Sequence, residues 1–205
     1  PDDRDLGPFV GLASALAHLI AHALDVTAAS AARDDNRRTM RELAALSHEA
    51  ARAADLQSFV EAVAARLMTA VNADYVDVWR VRGEEIRALL SMSREGVDAG
   101  QSDRLISLAQ YPTTDEALHR GETLVVKDLR DPRLTADDVR MYREWGFNSS
   151  VTLPIVAASE VVGVIELYDD AERDWTPHLA FLSGVAQLVA GIFENAVLLD
   201  EVQRH

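Results

Sequence analysis

The chain has 205 residues, 48% of them hydrophobic and 6% aromatic, with a formal net charge of −14 and no cysteine. That length holds one domain with an ample core plus extra helix. The acidic balance argues against a nucleic-acid partner, since phosphate backbones are held by Lys and Arg, and the missing thiols exclude disulfides, thiolate metal sites and cysteine nucleophiles.

No apolar run is long enough to span a bilayer, so no membrane insertion and a cytoplasmic location are expected. Phe9, Leu12, Leu16, Leu19, Ala23 and Val26 are spaced three and four apart, the seam of an amphipathic or coiled helix. This stretch echoes the end of the chain. A shift of 169 places Asp5 on Asp174, Pro8 on Pro177, Ser14 on Ser183, Leu19 on Leu188 and Ala21 on Ala190. Both copies enter through Asp-x-x-Pro, where proline suits a helix start. Residues 1–35 are therefore expected to be the closing helix of a preceding unit of the same kind, plus a linker.

Met40, Leu43, Leu46 and Ala50 keep helical spacing. Asp55 is an N-cap candidate, and Leu56, Phe59, Val60, Val63, Leu67, Met68 and Val71 form the core face of the helix it opens. Tyr75 to Val81 alternates with period two and predicts a strand, with a tight turn at Gly83–Glu85 and a hairpin partner from Ile86 to Met92. Ser93 to Asp103 reads as a loop and Leu105 to Leu108 as a short extended segment. Tyr111-Pro112-Thr113-Thr114 is expected to cap a short helix over Asp115–His119, stopped by Gly121. Thr123 to Val126 predicts a strand. After turn residues from Asp128, a helix around Asp138–Trp145 should end at Gly146.

Ser150 to Asp170 is the most informative stretch. It reads as two β-branched, apolar strands joined by a polar turn at Ala158-Ser159-Glu160. Gly163 signals a bulge or a close backbone approach, and Pro154 an edge or bulged position. Leu-Pro-Ile, a short turn, Val-Val-Gly-Val-Ile-Glu-Leu, a charged loop and a long amphipathic helix resemble the second half of a GAF domain. The resemblance covers roughly residues 36–203 and is spread over many positions. It implies an α+β fold, a GAF/PAS-like central antiparallel sheet with flanking helices and long N- and C-terminal signalling helices. The division expected is 36–175 for the domain core and 176–205 for a helix serving core packing, dimerisation and signalling.

In that family the ligand lies between the sheet and the irregular segment crossing it, here roughly residues 93–149. The resemblance therefore makes Trp79, Ser91, Tyr111, Thr114, Tyr142, Trp145, Asn148 and Ser149 candidate ligand-binding residues. A ligand-free reading, in which the large side chains fill the pocket themselves, stands beside it. His119 falls in the crossing region, where some haem-binding relatives supply an iron ligand. A lone His at a helix end is more often a partner of the helix dipole, and no second ligand is readable, so haem is not expected. The cofactor is unknown. Bilin attachment and reduction of free methionine sulfoxide both rest on cysteines in relatives, and the chain has none. The cyclic-nucleotide signature of other relatives is not recognisable. His18 and His22 stand four apart without an acidic third ligand, and no calcium or phosphate loop appears, so neither metal nor catalytic residues are expected.

Leu182, Val185, Val189, Ile192, Ala196 and Leu199 alternate three and four apart in the last helix. With Leu16, Leu19 and Ala23 they are the expected homodimer interface. The resemblance implies a non-enzymatic regulatory module of a bacterial signalling protein, sensing a small molecule or passing a signal through dimeric helices. The ending from Glu194 resembles linkers that enter diguanylate cyclase domains. A ligand-free dimerisation spacer and a cofactor-binding sensor are the alternatives.

Overall fold

A computed structural model describes residues 37, 39–41, 43–46, 55–101 and 104–203. The chain divides into two units, 1–42 and 43–205. In the first, residues 37 and 39–41 are helical; the expected helix over 9–33, with Leu16, Leu19 and Ala23, lies outside the described residues.

The second unit carries the fold. Helix α1 (Leu56–Val71) starts as expected, the Asp55 carboxylate accepting the Ser58 N–H at 2.8 Å. It stops at Asn72, whose backbone is left-handed, a conformation Asn tolerates better than most. Arg173 and Arg94 donate to the Asn72 carbonyl at 3.0 and 3.2 Å, and Arg173 also reaches the Val71 carbonyl. Two guanidiniums thus close the negative end of the helix. Arg173 also lies over the Trp175 ring, 4.2 Å from its centroid.

Strands β1 (Tyr75–Arg82), β2 (Glu85–Ser93), β3 (Gly96–Val97) and β4 (Leu105–Ser107) precede helix α2 (Pro112–Arg120) and strand β5 (Leu124–Val126). Helix α3 (Ala136–Trp145), strands β6 (Ser149–Ala157) and β7 (Glu160–Asp169) and helix α4 (Leu179–Gln203) complete the unit. The seven strands form one sheet in the order β3-β2-β1-β7-β6-β5, with β4 also on β2. Its pairs are antiparallel, so the α+β expectation holds.

Two local readings change and a third holds. Strand β3 lies inside the stretch read as a loop. Helix α2 begins at Pro112, so Thr113 and Thr114 sit in its first turn instead of capping it; Pro has no N–H to lose there. The reading of Pro154 as an edge or bulged position holds: β5 pairs only with Ser150–Thr152, so that side of β6 is unpaired at the proline, and the register shifts just after it between Ile155 and Val156.

Period-two alternation sorts the strands into two faces. Val78, Leu90, Leu153, Ile165 and Leu167 pack against Val63 and Leu67 of α1 and against α4. Leu182, Val185 and Val189 belong to this core and are at most 1% exposed. That corrects the placing of these three at a dimer seam: they are packed on their own sheet and not presented to a second helix. The side chains of Ile192, Ala196 and Leu199 lie outside the described part. Among the described side chains of α4, the exposed positions are Ala180, Gln187 and Gly191. The opposite face of the sheet holds a smaller cluster of Trp79, Ile86, Ile106, Leu118 and Val164, covered by β4 and α2.

Gly163 is required by close approach. A Cβ there would stand 2.7 Å from the Trp79 carbonyl oxygen and 3.1 Å from both Ile155 and Phe193. The first is backbone and cannot rotate away. Gly163→Ala is expected to destabilise the fold by about 2 kcal/mol, read as a lower urea midpoint at unchanged slope.

Candidate functional site

The site forms because β1 and β7 place polar side chains on a face that the chain then covers. Asp77 and Glu166 are direct partners across the β1–β7 pair, and Ser91 is the partner of Asp77 on β2. All three are buried. The Ser91 hydroxyl donates to Asp77 Oδ1. Glu166 Oε1 accepts from Thr114 of α2 at 2.9 Å and from Thr152 of β6 at 3.3 Å. A buried carboxylate without such partners would cost several kcal/mol, so the hydroxyls are what make the position tenable.

Beside this pair is a cavity of about 210 Å³. Asp77, Trp79 and Ser91 form its floor, Tyr75, Trp145 and Phe147 its aromatic walls, and Asp98, Gln101 and Arg104 its rim. Phe147 is fixed by stacking on Tyr168 at 4.8 Å and by Tyr75 at 5.5 Å. Trp145 is 41% exposed and leans on Tyr111, 6.4 Å between centroids. The Trp79 indole N–H is buried without a hydrogen bond of normal geometry, although it is near enough to Glu166 to favour that carboxylate's charge. A larger depression along α3, between Leu134, Val139 and Arg143, is lined by no buried side chain and offers no comparable chemistry.

Burial dominates the electrostatics. It raises the Asp77 carboxyl from its ordinary 3.8 to about 8; the Ser91 hydrogen bond opposes the rise and the nearby Glu166 charge adds to it. Glu166 is also raised, mainly by burial, against the pull of its hydroxyl partners. Two such groups side by side resist ionising together.

The candidates separate. Trp79, Ser91 and Trp145 line the cavity. Thr114 contributes through Glu166, and Tyr111 through Trp145. Tyr142 is buried with its hydroxyl 2.6 Å from Ser150 Oγ, Asn148 donates to the Asp170 carbonyl at 2.5 Å, and neither borders the cavity. Ser149 is on the opposite face, accepting from Trp175 Nε1 at 3.3 Å; strand alternation turns it towards the helices. His119 is 73% exposed and pairs with Asp115 of its own helix at 2.9 Å, away from the cavity lining. The sequence reading missed Asp77 and Glu166 and the ring of Phe147. The available signal was an acid flanked by Val76 and Val78, and another between Ile165 and Leu167, in strands apolar on both faces.

Asp74, Asp169 and Asp170 also gather, their oxygens within 4.8 Å of one another. Arg94 donates to Asp74 at 2.5 Å, Arg173 to Asp169 at 2.8 Å, and the Asp170 N–H to Asp74 at 2.9 Å. The cluster is a joint between α1, β2 and the β7–α4 connection.

An antiparallel sheet shielded by helices on one face and by an irregular crossing segment with a pocket on the other is the architecture of a sensory α+β module. The chain belongs to the GAF domain family, whose model matches residues 55–193. GAF domains serve as regulatory modules. The GAF domain of a phosphoenolpyruvate-protein phosphotransferase from Coxiella burnetii is similar at TM-score 0.67 and 16% identity, covering 80% of this chain and 96% of that one. Its counterpart from Acinetobacter gives 0.65 at 13% identity, over 80% and 98%. The chromophore-binding domain of an unusual bacteriophytochrome from R. palustris gives 0.63 at 15%, over 78% and 63%. At these identities the likeness is one of fold. Among curated proteins no match is found. No helix among the described residues is long and apolar enough to cross a membrane.

A group whose folded pKa is raised makes the native state lose stability as pH rises from the unfolded value towards the folded one. For Asp77 that window runs from 3.8 to about 8. Asp77→Asn should therefore flatten the decline of stability across this window, by up to about 1.4 kcal/mol per pH unit relative to the native chain. Melting curves at pH 5, 6, 7 and 8 check it; parallel pH profiles for the two proteins would contradict it.

Proposed function

We propose that this chain is a small-molecule-sensing regulatory module that passes its ligand state to its helices. The observation that carries the reading is the cavity of about 210 Å³, floored by buried polar groups and walled by aromatic rings, the composition of a ligand site. Its wall is continuous with the signalling side of the domain. Trp145 and Phe147 flank the turn into β6, and Ser149, two residues on, accepts from Trp175 just before α4. A ligand that repositions this turn has a covalent route to the helix. It shifts the helix only if it binds two arrangements with different affinity.

Downstream, the resemblance of the chain's ending to linkers before diguanylate cyclase domains supports such an output. The three-four spacing of Leu16, Leu19 and Ala23 in the sequence supports transmission in a dimer, with Leu182, Val185 and Val189 reserved for the core.

Native mass spectrometry of protein taken from its own host, followed by hydrogen exchange with and without the retained compound, tests the reading. The expected result is a non-covalent adduct whose removal increases exchange in residues 145–150 and in α4. A protein free of adduct, with exchange unchanged by any compound of a broad metabolite panel, would leave a ligand-free spacer as the function.

A further inference from the structure

We propose that the cavity is built for a compact organic cation, an ammonium or amidinium group carried on a small planar apolar body. The inference rests on the sensing reading of the same cavity and adds the chemistry of the ligand.

The charge at the site is lopsided. Asp77 lies at the floor, Glu166 is its cross-strand partner, and Asp98 stands at the rim. Arg104 is the cation facing them among the cavity residues; it donates to Gln101 Oε1 at 2.9 Å, and its charge opposes the rise at Asp77 without cancelling it. Two buried acids against one rim guanidinium leave a negative deficit that, without a ligand, is met by keeping a proton on the pair. A bound cation would replace that proton.

The surroundings favour an organic cation over an ion. Tyr75, Phe147 and Trp145 present aromatic surface around the acids, the composition that holds ammonium groups by cation–π attraction. At about 210 Å³ the space is below the range of drug-sized sites, which suits a single ring with a short arm.

The buried Trp79 N–H is an independent pointer. Trp79 is 5% exposed, lines the cavity, and its donor lacks a normal partner. An orphaned buried donor is uncommon. Glu166 is the acid within its influence, and a fully ionised Glu166 would give that donor a strong acceptor. A cation that drives the proton off the pair satisfies the indole at the same time. A neutral ligand satisfies the indole only by bringing an acceptor of its own.

The groups facing Asp77 are Ser91 from β2, Glu166 from β7, Tyr75 from its own strand, Asp98 after β3 and Arg104 before β4. Burial raises the carboxyls of Asp77 and Glu166, and it raises the Tyr75 hydroxyl to about 12, well above neutral pH. Ligand binding near neutral pH should therefore release a proton.

The test uses three probes of one shape: 2-phenylethylammonium, 2-phenylethanol and phenylacetate. Calorimetry on the whole chain at pH 7 should show the ammonium binding at least tenfold more tightly than the alcohol, with phenylacetate weakest. Its heat should change between phosphate and Tris, reporting proton release. Asp77→Asn should weaken the ammonium at least tenfold and leave the alcohol unaffected. The buffer comparison on the native chain stands alone should that variant fold poorly. Equal or tighter binding of the alcohol or phenylacetate overturns the cation assignment, as does ammonium binding that ignores both buffer and Asp77→Asn. If none of the three binds, the assignment also falls. The sensing reading then survives only if protein from its own host retains another adduct.

Discussion

Strands β1 and β7 are covered on both faces, and the rest of the domain follows from that constraint. On one side α1 and α4 press Val63, Leu67, Leu182 and Val185 against Val78 and Ile165. On the other, β4, α2 and the segment up to Phe147 close over Trp79 and Val164. Any polar side chain in these strands is then taken out of water and must find partners inside. Asp77 and Glu166 do so through the hydroxyls of Ser91, Thr114 and Thr152. The pair, carried by β1 and β7, draws three further elements, β2, α2 and β6, towards one point beside the cavity.

The same double coverage gives the domain its lines of communication. Helix α2 reaches the floor acids through Thr114 and reaches α3 through Thr113, which donates to Asp138 within the capping box that starts α3. Helix α3 ends at Trp145 on the cavity wall. From there the chain enters β6, whose inward residues pack on α4. The cavity wall, the buried acids and the last helix are thus linked through short segments. Arg173 and Arg94 hold the far corner, tying the end of α1 to the loop before α4.

Much of the fold is legible in the residues themselves. The Asp55 cap, the β1–β2 hairpin and the left-handed stop at Gly146 are local features, set by a few neighbouring side chains. The close approach at Gly163 is legible too, since only glycine leaves room for the Trp79 carbonyl. The last helix misleads because a three-four seam says that a face is buried, not against what. Here the partner is the domain's own sheet. The site was legible in part: Trp79, Ser91 and Trp145 reach the cavity because the crossing segment and β1–β2 are neighbours in the family's fold. Ser149 was misplaced by one step of strand alternation, which sends it to the Trp175 side. Asp77 was passed over because an acid in an alternating strand reads as a solvated face. Only the cover from α2 and α3, remote in sequence, makes it buried.

The central claim is that Asp77 and Glu166 hold a proton between them at neutral pH. Carbon-13 NMR titration of the side-chain carboxyls, assigned through Asp77→Asn and Glu166→Gln, measures it directly. The account predicts that the Asp77 carboxyl resonance moves near pH 8 and that Glu166 titrates above ordinary glutamates. Two carboxyls already fully ionised at pH 5 would contradict it.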